Sequence, residues 1–445
     1  MKIKYLIVQR FFLISGLIFL FLLSLSACIS DNSPSEILRD FLGKHKFSPE
    51  VEEELSRFEN AYYNVVPNGD ESKLEYFRFA FKRLKSNYVK PIQDRKLIDH
   101  AISGLTPAVP NQKHTFSPQE ALESALRKML ASLDPHSAFM NAEEFRDSFS
   151  QTKGEFGGLG IQVTMEDGLV KVIAPIEDTP ASRAGVKAGD LISHINNLPV
   201  KGMTLAEAVR LMRGLPGSSI HLRLRRDNVL SLDISIVRAI IKVKAIRWKT
   251  EGDVGYIRII RFSERTRPGL QNAISQIKSA LGERLKGVVL DLRNNPGGLL
   301  DQSVQVTDDL LNDGEIVSIR GRTRSNQRSY FAEKGDLLQG TPIVVLINRG
   351  SASASEIVAS ALQYHERAVV MGTRSFGKGS VQTIMPLPIE GALRLTTALY
   401  YSPSGDTIQA FGVTPDIILA GLVKKDKLDN DKSAEQREAD LPGAI

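Results

Sequence analysis

Three serines alternating with alanines, Ser351, Ser353 and Ser355, stand between an apolar run and the apparent start of a helix, in Asn348-Arg349-Gly350-Ser351-Ala352-Ser353-Ala354-Ser355-Glu356. A strand-to-helix elbow exposes a hydroxyl, and a helix N-terminus offers unpaired N–H groups to a developing oxyanion. The small neighbours let a substrate backbone come close. A serine of this kind needs a base. The seven histidines are scattered, and His365 lies at the far end of the helix that follows the serines. Lysine is the other candidate, provided that desolvation makes its ammonium give up a proton near neutral pH. Lys378 sits in Thr373-Arg374-Ser375-Phe376-Gly377-Lys378-Gly379-Ser380-Val381-Gln382, between glycines and after an apolar strand. On an extended segment Lys378 and Gln382 share a face, so Gln382 can orient the amine. Each segment also has a plain structural reading: a Ser/Ala helix cap for the first, a surface lysine in a glycine turn for the second.

The elements that must position these groups read as an α/β core over about 239–422. Gly287 to Leu292 is a buried strand, followed by the loop Asn294-Asn295-Pro296-Gly297-Gly298 and a helix from about Leu299 to Leu311. Pro342 to Ile347 and Ala368 to Met371 are further strands flanking a helix over about 355–364, and Leu393 to Tyr401 is a later one. Upstream, Leu74, Phe77, Phe81, Leu84 and Tyr88 fall on one helical face. Ser117-Pro118-Gln119-Glu120 has the form of a capping box with proline at the first helical position, ahead of Leu122, Leu126, Met129 and Leu133. This region, within 28–149, reads as packing support.

Between them, over 150–238, the texture changes. Gly157-Gly158-Leu159-Gly160 leads into the alternating strand Ile161-Gln162-Val163, and Pro180-Ala181-Ser182-Arg183-Ala184-Gly185 is a short turn and helix. Leu205, Ala208, Val209 and Met212 mark an amphipathic helix, and Ile220, Leu222 and Leu224 alternate with His221, Arg223 and Arg225. In this order the segments resemble a PDZ domain. The amides of Gly157, Gly158, Leu159, Gly160 and Ile161 would form a nest for a C-terminal carboxylate, with a peptide paired to the adjacent strand edge.

Together the segments resemble the carboxyl-terminal processing (tail-specific) proteases of the serine/lysine type. The resemblance covers about 70–418 and includes Leu133-Asp134-Pro135-His136-Ser137, the PDZ segment, Leu292-Arg293-Asn294-Asn295-Pro296-Gly297-Gly298, the serine run, Phe376-Gly377-Lys378-Gly379 and Gly412-Val413-Thr414-Pro415-Asp416. It implies an α+β multidomain fold: an N-terminal helical region, an inserted PDZ domain and a protease core of the ClpP/crotonase-like kind. It also implies Ser353 as nucleophile, Lys378 as base, Gln382 as third member, and the amides of Ala354 and Gly298, or Gly297, as oxyanion donors. Ser351 and Ser355 remain the other serine candidates. The expected partners are proteins with unstructured, apolar C-termini, with an adaptor or activator protein beside them. The competing reading is a PDZ scaffold that binds C-termini without cutting. A Ser-x-x-Lys amidase is excluded, because Glu356 stands three residues after Ser353.

Composition and the N-terminus bound the rest. A chain of 445 residues with 42% hydrophobic and 24% charged residues has ample core for several domains, which excludes the disordered and collagen-like classes. The net charge of +6 is dispersed and does not argue for nucleic acid. No H-E-x-x-H cluster is present, and neither metal nor cofactor is expected. Lys2, Lys4 and Arg10 precede an apolar run from Phe11 to Leu25 and then Leu25-Ser26-Ala27-Cys28. This is the pattern of an export signal over 1–27. Leu-Ser-Ala-Cys resembles the lipobox of bacterial lipoproteins, which implies acylation at Cys28, a membrane anchor and a place on the periplasmic side of the envelope. The alternative is an uncleaved membrane anchor. Ile29, in place of aspartate, favours the outer membrane. Residues 423–445 are polar and charged and read as a flexible tail.

Overall fold

The computed structural model describes residues 47–106, 116–176, 178–226, 229–323, 327–419 and 437–445. The export signal and Cys28 lie outside them. No helix among the described residues is long and apolar enough to cross a membrane.

The described residues open with four helices, α1 (Pro49–Val65), α2 (Glu71–Asn87), α3 (Asp94–Ser103) and α4 (Pro118–Ala131), then β1 (Ala138–Met140). The Asp70 side chain caps α2 by accepting from the Ser72 amide at 2.9 Å. Ser117 and Glu120 form the expected reciprocal cap on α4. Leu74, Phe77, Phe81, Leu84 and Tyr88 are all buried, and so are Tyr76 and Phe79. A helix apolar on so much of its surface must be surrounded. The Phe77 ring stacks on Phe58 with centroids 3.7 Å apart. This core also takes in Met385, Leu387, Leu393 and Leu395. The helices therefore support the strands that carry the site.

Next come α5 (Ala142–Lys153), β2 (Glu155–Gly158), β3 (Ile161–Glu166), β4 (Leu169–Pro175), α6 (Pro180–Arg183), β5 (Leu191–Ile195), β6 (Leu198–Pro199), α7 (Leu205–Met212), β7 (Ser219–Arg226), β8 (Val229–Val237) and β9 (Ala239–Lys242). They belong to a compact unit of residues 146–247 and 263–269. Its main sheet runs β3-β4-β5-β7-β8, so β3 is an edge strand. Ile220, Leu222 and Leu224 point inward, against Ala208 and Met212 of α7. Two boundaries differ from the sequence reading. Gly157 and Gly158 are not loop: they pair with Ile240 and Ala239 in a β2–β9 ladder, which leaves Leu159 and Gly160 to make the turn before Ile161. The unit also extends beyond 238. Besides β9 it takes in residues 263–269, where Arg265 pairs with Glu155 at 2.6 Å and the Glu264 amide donates to the Thr152 carbonyl at 3.2 Å.

The remaining elements are β10 (Ile246–Glu251), β11 (Val254–Ile259), α8 (Thr266–Leu281), β12 (Gly287–Asp291), α9 (Leu300–Asp308), β13 (Glu315–Gly321), β14 (Gln327–Phe331), β15 (Ile343–Ile347), α10 (Ala354–Tyr364), β16 (Ala368–Gly372), β17 (Ser380–Pro386), β18 (Ala392–Tyr401) and β19 (Ile417–Ile418). With residues up to 145 they form the other unit. One sheet has the order β10-β11-β12-β15-β16-β19, parallel from β11 onward. In the second, β18 pairs with β17 on one side and with β1 and β13 on the other. Residues 437–445, expected to belong to a loose tail, include a 3-10 turn at Glu438–Asp440, and Glu438 is fully buried. Hydrogen bonds to a buried carboxylate repay its ordering; residues 423–436 lie outside the described set.

Candidate active site

Ser353 lies where β15 gives way to α10, at φ 55° and ψ −115°. A non-glycine residue at positive φ costs about 1–3 kcal/mol and persists only where its surroundings enforce it. Here they do. The Ser351 hydroxyl donates to the Leu292 carbonyl at 2.8 Å and accepts from the Asn348 amide at 3.0 Å. The Ser355 hydroxyl donates to the Asn295 carbonyl at 3.0 Å. Both serines are fully buried, whereas Ser353 keeps 8% of its surface exposed. Among the described residues the Ser353 hydroxyl donates to no acceptor. Of the three alternating serines, two are committed to holding the elbow and one is left for chemistry.

The same bonds stitch the elbow to the Asn-Asn-Pro-Gly-Gly loop. The Ala352 amide donates to the Asn295 carbonyl at 3.0 Å. Asn294 and Asn348 exchange two bonds of 2.9 Å, side chain to main chain and side chain to side chain. The Asn295 side chain, fully buried, donates to the Ile259 carbonyl at 3.0 Å and accepts from the Gly297 amide at 2.9 Å. That bond uses up the Gly297 amide. The Gly298 and Ala354 amides have no acceptor among the described residues. Gly298, at φ 144°, also lies where a Cβ would run into the Phe262 carbonyl, so only glycine fits. Of the two loop glycines, Gly298 has the amide free to donate.

Lys378 arrives just before β17. Its Nζ donates to Gln382 Oε1 and, at 3.4 Å, to the Ser380 carbonyl. Alternation along β17 survives because the bulge beside Gln382 places its extra residue, Thr397, on β18. Gln382 Nε2 donates to Ser380 Oγ at 3.0 Å and to Thr396 Oγ1 at 3.3 Å. Thr396 in turn donates to Asp134 at 3.0 Å, and Asp134 accepts from the Ser137 hydroxyl at 2.6 Å. The Asp134-Pro135-His136-Ser137 turn thus supports the glutamine. Burial pushes the lysine down to about 8, with Arg394 adding to the effect and Glu438 and Glu356 opposing it.

Sequence reasoning missed Glu356. Its carboxylate, fully buried, accepts from the Ser353 amide at 2.7 Å and the Lys378 amide at 2.9 Å on one oxygen. Its other oxygen accepts from the Ser375 hydroxyl at 2.5 Å and the Gly377 amide at 2.7 Å. Burial pushes the acid up to about 7, against the pull of these donors. One side chain therefore fixes the main chain of both the serine and the lysine. Among the described residues no hydrogen bond joins the Ser353 hydroxyl to the Lys378 amine, which points to Gln382. His365 is remote from this chemistry, bonded through Nε2 to the Glu315 carbonyl at 2.7 Å.

Residues 253–419 match peptidase family S41, and residues 171–226 match a PDZ domain. A carboxy-terminal-processing protease of Bartonella bacilliformis is 54% identical over 361 residues, which cover 80% of this chain and 78% of that one. The carboxy-terminal processing protease CtpA of Bacillus subtilis is 33% identical over 368 residues, 82% of this chain and 73% of its own. Among solved structures, a photosystem II D1 C-terminal processing protease superposes with a TM-score of 0.50 at 28% identity, covering 84% of this chain and 98% of its own.

Proposed function

We propose a Ser/Lys mechanism for this chain, which belongs to peptidase family S41 and is a serine-type carboxy-terminal processing protease. Ser353 attacks a peptide carbonyl, and its hydroxyl proton passes to the neutral Nζ of Lys378. The tetrahedral oxyanion is held by the amides of Ala354 and Gly298. As the C–N bond breaks, the Lys378 ammonium returns its proton to the leaving amine. Water, deprotonated by the same lysine, then releases the acyl group from Ser353. Gln382 orients the amine, and Glu356 keeps the two catalytic main chains in place. The observation that carries this reading is the joint hold of Glu356 on the Ser353 and Lys378 amides, with the Ser351 and Ser355 hydroxyls already spent.

The PDZ unit supplies the substrate end. Its edge strand β3 and the turn at Leu159 and Gly160, ahead of Ile161, have the chemistry to take a free C-terminal carboxylate and extend the sheet by one strand. The substrates in this reading are envelope proteins with unstructured, apolar C-termini. The Cys28 lipobox tethers the enzyme to the membrane on the periplasmic side, at the outer membrane.

The test is cleavage of an unfolded protein with an apolar C-terminus by the wild type, Ser353→Ala and Lys378→Ala. Cutting by the wild type alone, with both variants folded, supports the mechanism. Undiminished cutting by Ser353→Ala sinks it. Binding of the C-terminus by all three without any cutting would instead mark the scaffold reading or the need for an activator protein.

A further inference from the structure

Glu438 reaches the lysine's surroundings from beyond the C-terminal end of the family-matched residues 253–419. It is fully buried. His136 Nε2 donates to both of its carboxylate oxygens, at 3.0 and 2.8 Å, and Gln409 Nε2 donates to one at 2.9 Å. Its own amide donates to the Phe376 carbonyl at 3.2 Å. Gln409 is in turn held by the Gly379 amide at 2.8 Å. The segment therefore grips the Phe376-Gly377-Lys378-Gly379 loop at both ends, directly at Phe376 and through Gln409 at Gly379. No ion pair forms between Glu438 and Lys378; the carboxylate acts on the ammonium at a distance, through a medium of low polarity.

We propose that residues 437–441 are a restraining strap, and that Glu438 is a tuning residue which holds Lys378 in its protonated, inactive form while the strap is docked. A buried negative charge beside a lysine favours the ammonium, whereas the chemistry needs the amine. The charged groups facing Lys378 are Glu438 from the strap, Glu356 from α10, Asp134 from the turn after α4 and Arg394 from β18. Glu356 is spent on main-chain amides, and Asp134 on Ser137 and Thr396. Of the acids, only Glu438 is delivered by a segment that can leave without dismantling the elbow or the sheet. Its carboxylate stays ionised. Burial works against the charge, but the bonds from His136 and Gln409 more than offset it, so the group titrates below the usual range. Release of the strap would withdraw that charge and free the lysine loop at the same time.

The inference rests on Lys378 being the base, so the pH dependence of kcat/KM is measured for the wild type, Glu438→Gln, a variant lacking 437–445, and Lys378→Ala. Glu438→Gln keeps the shape and the amide and removes the charge. Its acid limb should move to lower pH, with kcat/KM at pH 7 rising about threefold to fivefold, fivefold corresponding to a one-unit fall of the lysine from about 8. The deletion should move the limb the same way. An acid limb that stays put, or a folded variant whose activity falls equally at every pH, overturns the strap and leaves Glu438 a merely structural residue. An active Lys378→Ala instead removes the Ser/Lys reading beneath it.

Discussion

The hydroxyls of Ser351 and Ser355 are committed to carbonyls and that of Ser353 is not, so alanine at the three positions should separate structure from chemistry. Ser353→Ala should abolish turnover and leave the denaturation midpoint nearly unmoved. Ser351→Ala and Ser355→Ala should cost about 1–3 kcal/mol of stability, read by denaturant unfolding, because each strips a bond from a buried carbonyl. With Lys378 as the proposed base, the lysine sets the pH dependence. Burial lowers it to about 8, and the amine is the reactive form, so kcat/KM should climb with pH and level off above about 8. Glu356 has the opposite sense for stability. Its folded value of about 7 lies above the ordinary 4.5, so the folded state binds the extra proton and this contribution is lost as pH rises from about 4.5 through 7. Glu356→Gln should remove that slope, silence the enzyme and cost about 2–4 kcal/mol, since an amide N–H₂ would face donors on every side. The serine run, Lys378 and Gln382 were legible because elbow chemistry and strand alternation are local patterns. Glu356 was not. In sequence it is the glutamate three places after a serine, which reads as a helix cap, and its bond to the Lys378 amide crosses a separation that no periodicity encodes.

Loops and strands account for the remaining geometry. Gly298 sits at φ 144° with the Phe262 carbonyl where a side chain would start, so Gly298→Ala must shift the loop that carries its amide. Loss of one such donor should lower kcat about 10²–10³-fold with little change in KM, as single-turnover and steady-state rates would separate. The alternation of Ile220, Leu222 and Leu224 and the one-sided face of Leu74 to Tyr88 were readable in advance, because a half-buried strand and an amphipathic helix write their periods into the chain. The β2–β9 ladder was hidden. Gly157 and Gly158 have no side chains to alternate, and their partners lie more than eighty residues away in sequence. Residues 263–269 were hidden for a related reason: they return to the PDZ unit after the chain has already entered the protease sheet. The strap was hidden by its composition, a charged stretch in which one buried glutamate looks like its solvated neighbours.

Over the whole molecule, the PDZ unit and the protease unit are separately built and each holds its own core. If the first captures carboxylates for the second, amidating the C-terminus of a peptide substrate should raise KM about tenfold and leave kcat almost unchanged, measured on matched peptides. A substrate indifferent to amidation would remove the capture role and leave the chemistry standing. The shared carboxylate of Glu356 works within the protease unit alone. It binds the amides of two residues that the chain delivers on different segments, and a carboxylate still in water has no reason to prefer them. An incompletely folded copy therefore owns every catalytic side chain and no catalytic site. If its substrates are unfolded chains, as proposed, the protease is one of them itself when newly made. This arrangement keeps a crowd of such newcomers from cutting one another, since the capacity to cut emerges together with the dry interior that ends their own vulnerability.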